Sequence, residues 1–229
     1  MADYKFEAAK AASQLIKSGQ TIGLGAGSTI AHLVSLLAAD ASLAASLALV
    51  SSSFKTMQLM MDHGLNVRAV ALTQTLDIYF DGCDQFDPEL NALKSGGGIH
   101  TSEKILASLA DEFILIGDAA KFAPRLDTTY PLVIEVLPSA LPLVMRQLRS
   151  YFPDADIDIR MSDKKDGAAI TDNGNLLLDV RFTQLPALEA LNAQVKMIPG
   201  VVEHSLFYRM ARKALVADES GVRIIHPAY

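Results

Sequence analysis

The sequence predicts an α/β protein: a Rossmann-like parallel-sheet domain carrying a second, smaller ferredoxin-like α+β domain. Two observations point there. Before residue 131, short all-apolar runs such as TIGLG (21–25) and FILIGD (113–118) alternate with segments of helical period. Strands without polar alternation, separated by helices, indicate a parallel sheet covered on both faces. From Pro131 the order becomes β-α-β-β-α-β around Asn173-Gly174, a dipeptide that favours tight hairpins. The expected division is residues 1–130 plus 207–229 for the larger domain and 131–206 for the smaller.

Along the first part, Ala8, Ala9, Ala12, Leu15 and Ile16 share one face of a helix predicted over 5–18, with Gly19 as its stop. The strand at 21–25 leads to a helix that Ser28 or Thr29 would cap and that runs to Ala38. A turn, a strand at 47–52, a helix at 53–64 and a third strand at 67–72 come next. LDIYF (76–80) is a fourth strand, running straight into Asp81. A helix at 105–112 precedes the FILIGD strand.

In the second part, PLVIEVLP (131–138) is a strand, 141–152 a helix and DADIDIRM (154–161) a strand. AAITDNGNLLLDV (168–180) reads as two short strands around Asn173-Gly174. A helix at 186–198 and a closing strand at 201–208 complete the unit. Residues 214–225 form two more strands that return to the first domain.

The 229 residues, 50% of them apolar, suffice for one large core or two modest ones. A formal charge of −6 argues against general nucleic-acid binding. It also means that an anionic ligand needs local cations and backbone N–H groups. The single cysteine, Cys83, fits a reducing compartment. The start MADYKFEAAK does not read as a signal peptide, and no segment is apolar enough to span a membrane. A cytoplasmic protein is expected.

Four constellations carry polar chemistry. Gly23-Leu-Gly25-Ala-Gly27-Ser28-Thr29 joins a buried strand to a helix start, where free N–H groups and the helix dipole suit an anion. A dinucleotide fingerprint would need glycine at 28 and an acid where Ser51-Ser52-Ser53 stands. The loop alone fits phosphate binding and a plain tight turn equally. Asp81-Gly82-Cys83-Asp84-Gln85 ends an apolar strand, the position where parallel sheets bind ligands. Taken alone, an ordinary Asp-Gly turn explains it better.

Lys94-Ser95-Gly96-Gly97-Gly98 precedes a helix, and three glycines in a row are costly to order. Thr101 is an expected N-cap, which puts Glu103 in the first turn, where the dipole favours a carboxylate. Lys121 lies in a loop at the same presumed sheet edge. Neither the five histidines nor Cys83 show a metal-ligand spacing, so no metal is expected. Cys83 reads as a packing residue.

Taken together, these segments resemble the ribose-5-phosphate isomerase type A family over nearly the whole chain. GLGAGST is similar to that family's GLGTGST loop, and DGCDQFDPELNALKSGGG to DGADEVDPNLNLIKGGGG. TSEKILAS resembles its REKI segment, GDAAK its strand-end lysine motif, and ITDNGNLLLDV with IPGVVEHSLF its C-terminal signatures.

The resemblance implies an aldose–ketose isomerase of ribose 5-phosphate and ribulose 5-phosphate, acting through an enediol or enediolate. It implies Glu103 as the base, with Asp81, Asp84 and Lys94 contacting the reacting oxygens. Ser28, Thr29 and Lys121 would hold the phosphate, and Lys5 is a further cation near it. Ala26, Gly27, Gly82, Cys83, Ser95, Gly96 and Gly97 would complete the substrate contacts. No metal or organic cofactor is implied, and a homodimer or homotetramer is.

The chain departs from the family pattern at Ala26, Cys83, Gln85, Ser95, His100 and Ser102. A paralogous isomerase of another sugar phosphate therefore stays open. So does a non-catalytic sugar-phosphate sensor, although a helix-turn-helix module is expected before the glycine loop of such a regulator.

Overall fold

The computed structural model describes residues 3–228. Helix α1 (Tyr4–Ser13) is capped by Asp3, whose carboxylate accepts the N–H groups of Lys5 and Phe6. It ends five residues before the expected 18, and Leu15 and Ile16 lie in the turn beyond it. Strand β1 (Thr21–Leu24) leads to α2 (Ser28–Ala39), whose N-cap is Gly27 rather than a hydroxyl residue. Gly27 has φ 95°, a conformation that costs glycine little.

A short α3 (Ala41–Ser46), unanticipated from the sequence, is nucleated by the Asp40 carboxylate on the Leu43 N–H. Strand β2 (Ala48–Ser51) and α4 (Phe54–Asp62), capped by Ser53, form as expected. The third strand predicted at 67–72 does not form. Val67 makes one bridge to Leu49, and Val70–Leu72 curl into a 3₁₀ turn. This run lies beyond β2, the outermost strand of the sheet; Val67 and Val70 are only half-buried at the rims of two cores, and Leu72 is 84% exposed.

After β3 (Leu76–Asp81) come the two-residue strands β4 (Gln85–Phe86) and β5 (Ala92–Leu93). Helix α5 (His100–Leu109) begins at His100, not at 105, and runs into β6 (Ala110–Asp118). The later elements are β7 (Leu132–Val136), α6 (Leu141–Tyr151), β8 (Asp156–Ile159), β9 (Leu176–Arg181) and α7 (Leu188–Lys196). Strands β10 (Val201–His204), β11 (Leu206–Phe207), β12 (Lys213–Asp218) and β13 (Gly221–Ile225) close the chain.

Six strands form the main sheet in the order β13-β12-β6-β3-β1-β2, parallel throughout except for β13. A separate antiparallel sheet has the order β10-β7-β9-β8. With α6 and α7 between its strands, this is the β-α-β-β-α-β pattern expected of the second half.

The single strand expected at 201–208 splits at Ser205, which exchanges hydrogen bonds with the Val133 backbone and accepts the Lys94 N–H. Leu206 and Phe207 then join β5 and β4 in a third small sheet. Around Asn173-Gly174 the expected hairpin is reduced to one isolated bridge, Ile170 with Leu176, while Ala168 bridges back to Met161. One apolar core packs α1, α2 and α4 on the main sheet, a second gathers Tyr79, Phe113 and Phe207 on its other face, and a third underlies the antiparallel sheet. Among the described residues no helix is long and apolar enough to cross a membrane.

Candidate active site

A cavity of about 360 Å³ opens at the carboxyl ends of β1, β3 and β6, where parallel sheets place their ligands. The segment leaving each strand lines it: Ala26 to Thr29 after β1, Asp81 to Asp84 after β3, and Lys121 after β6. Lys94, Gly96 and Gly97 come from the glycine loop and Glu103 from the first turn of α5. Lys5 also lines the wall.

Of the residues expected at the site, Ser95 alone does not line it. Its hydroxyl donates to the Pro131 carbonyl, 2.6 Å away. Ile116, Gly117 and Asp118 line the wall as well. Gly117 and Asp118 belong to the GDAAK motif, of which only Lys121 was expected at the site, and Ile116 precedes it at the end of β6.

The buried floor is a charge cluster. Lys94 Nζ lies 2.8 Å from Asp81 Oδ2 and 3.3 Å from Glu103 Oε1, and it also donates to the Gly82 carbonyl. Burial works against the ammonium charge, but the two carboxylates outweigh it and hold Lys94 well above its ordinary range. Burial, with the Asp81 charge adding to it, raises Glu103 to about 8 despite the opposing pull of Lys94.

Asp81 is fully occupied. Its Oδ1 accepts from the N–H groups of Ala26 and Gly82, and its Oδ2 from the Tyr79 hydroxyl at 2.6 Å and from Lys94. The carboxylate lies against Gly25, where an added Cβ would fall 2.0 Å from it. That glycine makes room for Asp81, not for a ligand.

Asp84 Oδ2 accepts the N–H groups of Ser95 and Gly96 at 2.6 and 3.0 Å. Burial raises the Cys83 thiol to about 12, so it stays protonated. The half-buried Lys121 and the exposed Lys5 place positive charge at the cavity, and among the described residues neither has an ion-pair partner. No group of three or more His, Cys, Asp or Glu suited to a metal ion occurs among the described residues.

A buried network backs this wall. Glu135 Oε2 accepts from the Thr101 hydroxyl, and Oε1 accepts from Thr171, Asn173 and Asn175. Lys104, one residue past Glu103, donates to Glu203 and to the carbonyls of His204 and Leu206. Burial lowers Lys104 to about 8.

Residues 48–221 match the family model of ribose 5-phosphate isomerase A, also called phosphoriboisomerase A. The chain belongs to the ribose-5-phosphate isomerase A family. It is an enzyme, an isomerase interconverting ribose 5-phosphate and ribulose 5-phosphate in the pentose phosphate pathway.

Ribose-5-phosphate isomerase A of Thermosynechococcus vestitus is 38% identical over 92% of this chain and 89% of that protein. The Methanosarcina acetivorans protein of the same name is 37% identical over 94% and 91%. The structure of ribose 5-phosphate isomerase A from Methanocaldococcus jannaschii superposes with a TM-score of 0.90 at 35% identity, covering 98% of both chains. A second ribose-5-phosphate isomerase structure, in complex with phospho-erythronic acid, also gives 0.90, at 32% identity and 97% coverage of both chains.

Proposed function

We propose that Glu103 carries the proton in this isomerisation while Lys94 stabilises the oxygen on which charge develops. In the open-chain aldose, the Glu103 carboxylate takes the proton from carbon 2. The electron pair left behind forms the C1=C2 bond, and the carbonyl oxygen on carbon 1 becomes anionic. Lys94 faces that charge from a buried position, where a fixed cation acts strongly. The hydroxyl proton on oxygen 2 passes to oxygen 1, and Glu103 returns its own proton to carbon 1, leaving the ketone at carbon 2.

One observation carries this reading: a buried carboxylate with raised proton affinity, 3.3 Å from a buried ammonium, on the floor of one cavity. Asp81, with every lone-pair direction engaged by protein donors, keeps Lys94 charged and in place. Asp84 Oδ1, which accepts nothing among the described residues, is left for a sugar hydroxyl. The first turn of α2, through Ser28, Thr29 and the Gly27 N–H, takes the phosphate with Lys121 and Lys5. This pairing of cations and backbone donors needs no metal.

An erythronic acid phosphate joins a planar carboxylate to a phosphate, so it matches the enediolate in shape and charge. It should compete with substrate here. Glu103→Gln tests the assignment. Glutamine keeps the size but cannot take a proton, so kcat for ribose 5-phosphate should fall ~10²–10⁴-fold while inhibition by inorganic phosphate stays. Wild-type turnover in that variant would remove Glu103 from the mechanism.

The chain works as a homo-oligomer, a dimer or tetramer, in the cytoplasm. Exposed apolar side chains such as Phe54, Leu72 and Met197 support the first statement, and the free thiol of Cys83 supports the second. Light scattering coupled to size exclusion measures the assembly directly.

A further inference from the structure

The glycine loop has a problem that the cavity itself does not solve. Gly96, Gly97 and Gly98 carry no Cβ, so their peptide planes can rotate at little steric cost. A peptide turned the wrong way would present a carbonyl oxygen, not an N–H, to an anionic ligand. Asp84 holds two N–H groups of this loop from one side. From the other side comes Arg160, just beyond β8 in the antiparallel sheet.

Arg160 Nη2 donates to the Ser95 carbonyl at 2.8 Å, and Nη1 to the Gly96 carbonyl at 3.2 Å. The guanidinium is itself gripped by Asp179 on β9, with Nε and Nη2 at 2.9 and 2.6 Å from Oδ1. Its side chain is 19% exposed. Arg160 lines a neighbouring hollow that shares Gly96 and Gly97 with the cavity, while the guanidinium lies outside the cavity.

The peptide bonds are trans, and in a trans peptide the N–H points opposite to the C=O. Fixing the Gly96 carbonyl on Arg160 therefore aims the Gly97 N–H the other way. That N–H has no acceptor among the described residues.

We propose that Arg160 is a positioning residue for the reaction: held by Asp179, it keeps the Ser95 and Gly96 carbonyls turned out of the cavity and the Gly97 N–H turned in. The antiparallel sheet thereby sets the polarity of one wall of a site built mainly on the parallel sheet. The rigid planar fork fixes the angle between its two carbonyl contacts and its carboxylate contact, which the freely rotating ammonium of a lysine does not. The proposal rests on the cavity being the isomerase site described above.

The test uses the full chain and two variants, Arg160→Lys, which keeps the charge beside Asp179, and Arg160→Met. Both should lose kcat/KM for ribose 5-phosphate by roughly 10- to 100-fold, mostly in kcat, as expected when a reacting group is misplaced by a fraction of its size. The inhibition constant of inorganic phosphate, which reports on the α2 end alone, should stay within about twofold. A merely structural ion pair would lower Tm in both variants and leave this kinetic split unmoved.

Folded variants that keep kcat/KM overturn the proposal, and so does a loss of phosphate inhibition that matches the loss of kcat/KM. A parent that isomerises no sugar phosphate overturns the functional reading together with this one. An active parent with unimpaired variants overturns this one alone.

Discussion

Glu103 must be ionised before it can accept a proton from carbon, and burial holds its own proton on up to about pH 8. In the free enzyme kcat/KM should therefore rise as pH is raised from about 6 towards 9, levelling above about 8; a flat profile would show that another group is the base. The same shift has a stability sign. A carboxyl whose folded pKa is raised from 4.5 to about 8 contributes stability in full below 4.5 and loses it as pH rises through about 8. Glu103→Gln removes that dependence, so its Tm advantage over the parent should grow between about pH 5 and about pH 8.5 in paired melts.

Gly25 offers a second test at this scale. A methyl group there collides with the Asp81 carboxylate, so Gly25→Ala must push Asp81 off Lys94. Overpacking of this kind costs about 1–3 kcal/mol. Denaturant melts should show that loss, and turnover should fall with it because Lys94 is released.

Helix α5 shows what a local reading of sequence can reach. The first-turn position of Glu103 was legible, because a helix start before an apolar stripe is a local matter. The helix origin was not. Thr101 carries the side chain of an N-cap, yet its hydroxyl is taken by Glu135, 34 positions along the chain, and Ile99 caps without a side-chain bond.

The Asn173-Gly174 turn departs from a plain hairpin for a similar reason. Its neighbours Thr171, Asn173 and Asn175 aim their side chains at Glu135, so they serve a buried carboxylate more than a hairpin. The absent strand at 67–72 was unreadable because its apolar residues are covered only in part, Val67 and Val70 at core rims and Leu72 not at all, a fact of tertiary arrangement.

The cavity wall was legible nearly in full, since most of it leaves strand ends in rare motifs, with Glu103 in a helix start beside one of them. Arg160 was not, because its partners Ser95 and Gly96 lie 65 and 64 residues away. Glu135 gives this scale its prediction. Burial raises its proton affinity, but the four donors overcome that and hold it below the ordinary range. Glu135→Gln turns an amide N–H₂ toward those donors and should cost about 1–3 kcal/mol for each group left unpaired, read as a lowered denaturation midpoint.

Across the whole molecule, the main sheet is assembled from both ends of the sequence. Strand β6 pairs with β3 on one side and with β12 on the other, Leu115 with Asp81 and with Ala214. The residues between β6 and β12 supply the whole antiparallel sheet and one strand, β11, of the small one. The central register of the main sheet therefore depends on a segment made well after β6 itself. Until residues 213–225 arrive, β6 is an open edge with a row of unpaired backbone groups, prone to pairing with other chains. Pairings this distant in sequence are slow to form. Refolding from denaturant should accordingly show helical signal returning well before isomerase activity, and the lag should coincide with protection of the β6 and β12 amides from hydrogen exchange. A nascent chain paused before Lys213 would carry every residue of the cavity wall and still be waiting for the strand that fixes where β6 lies.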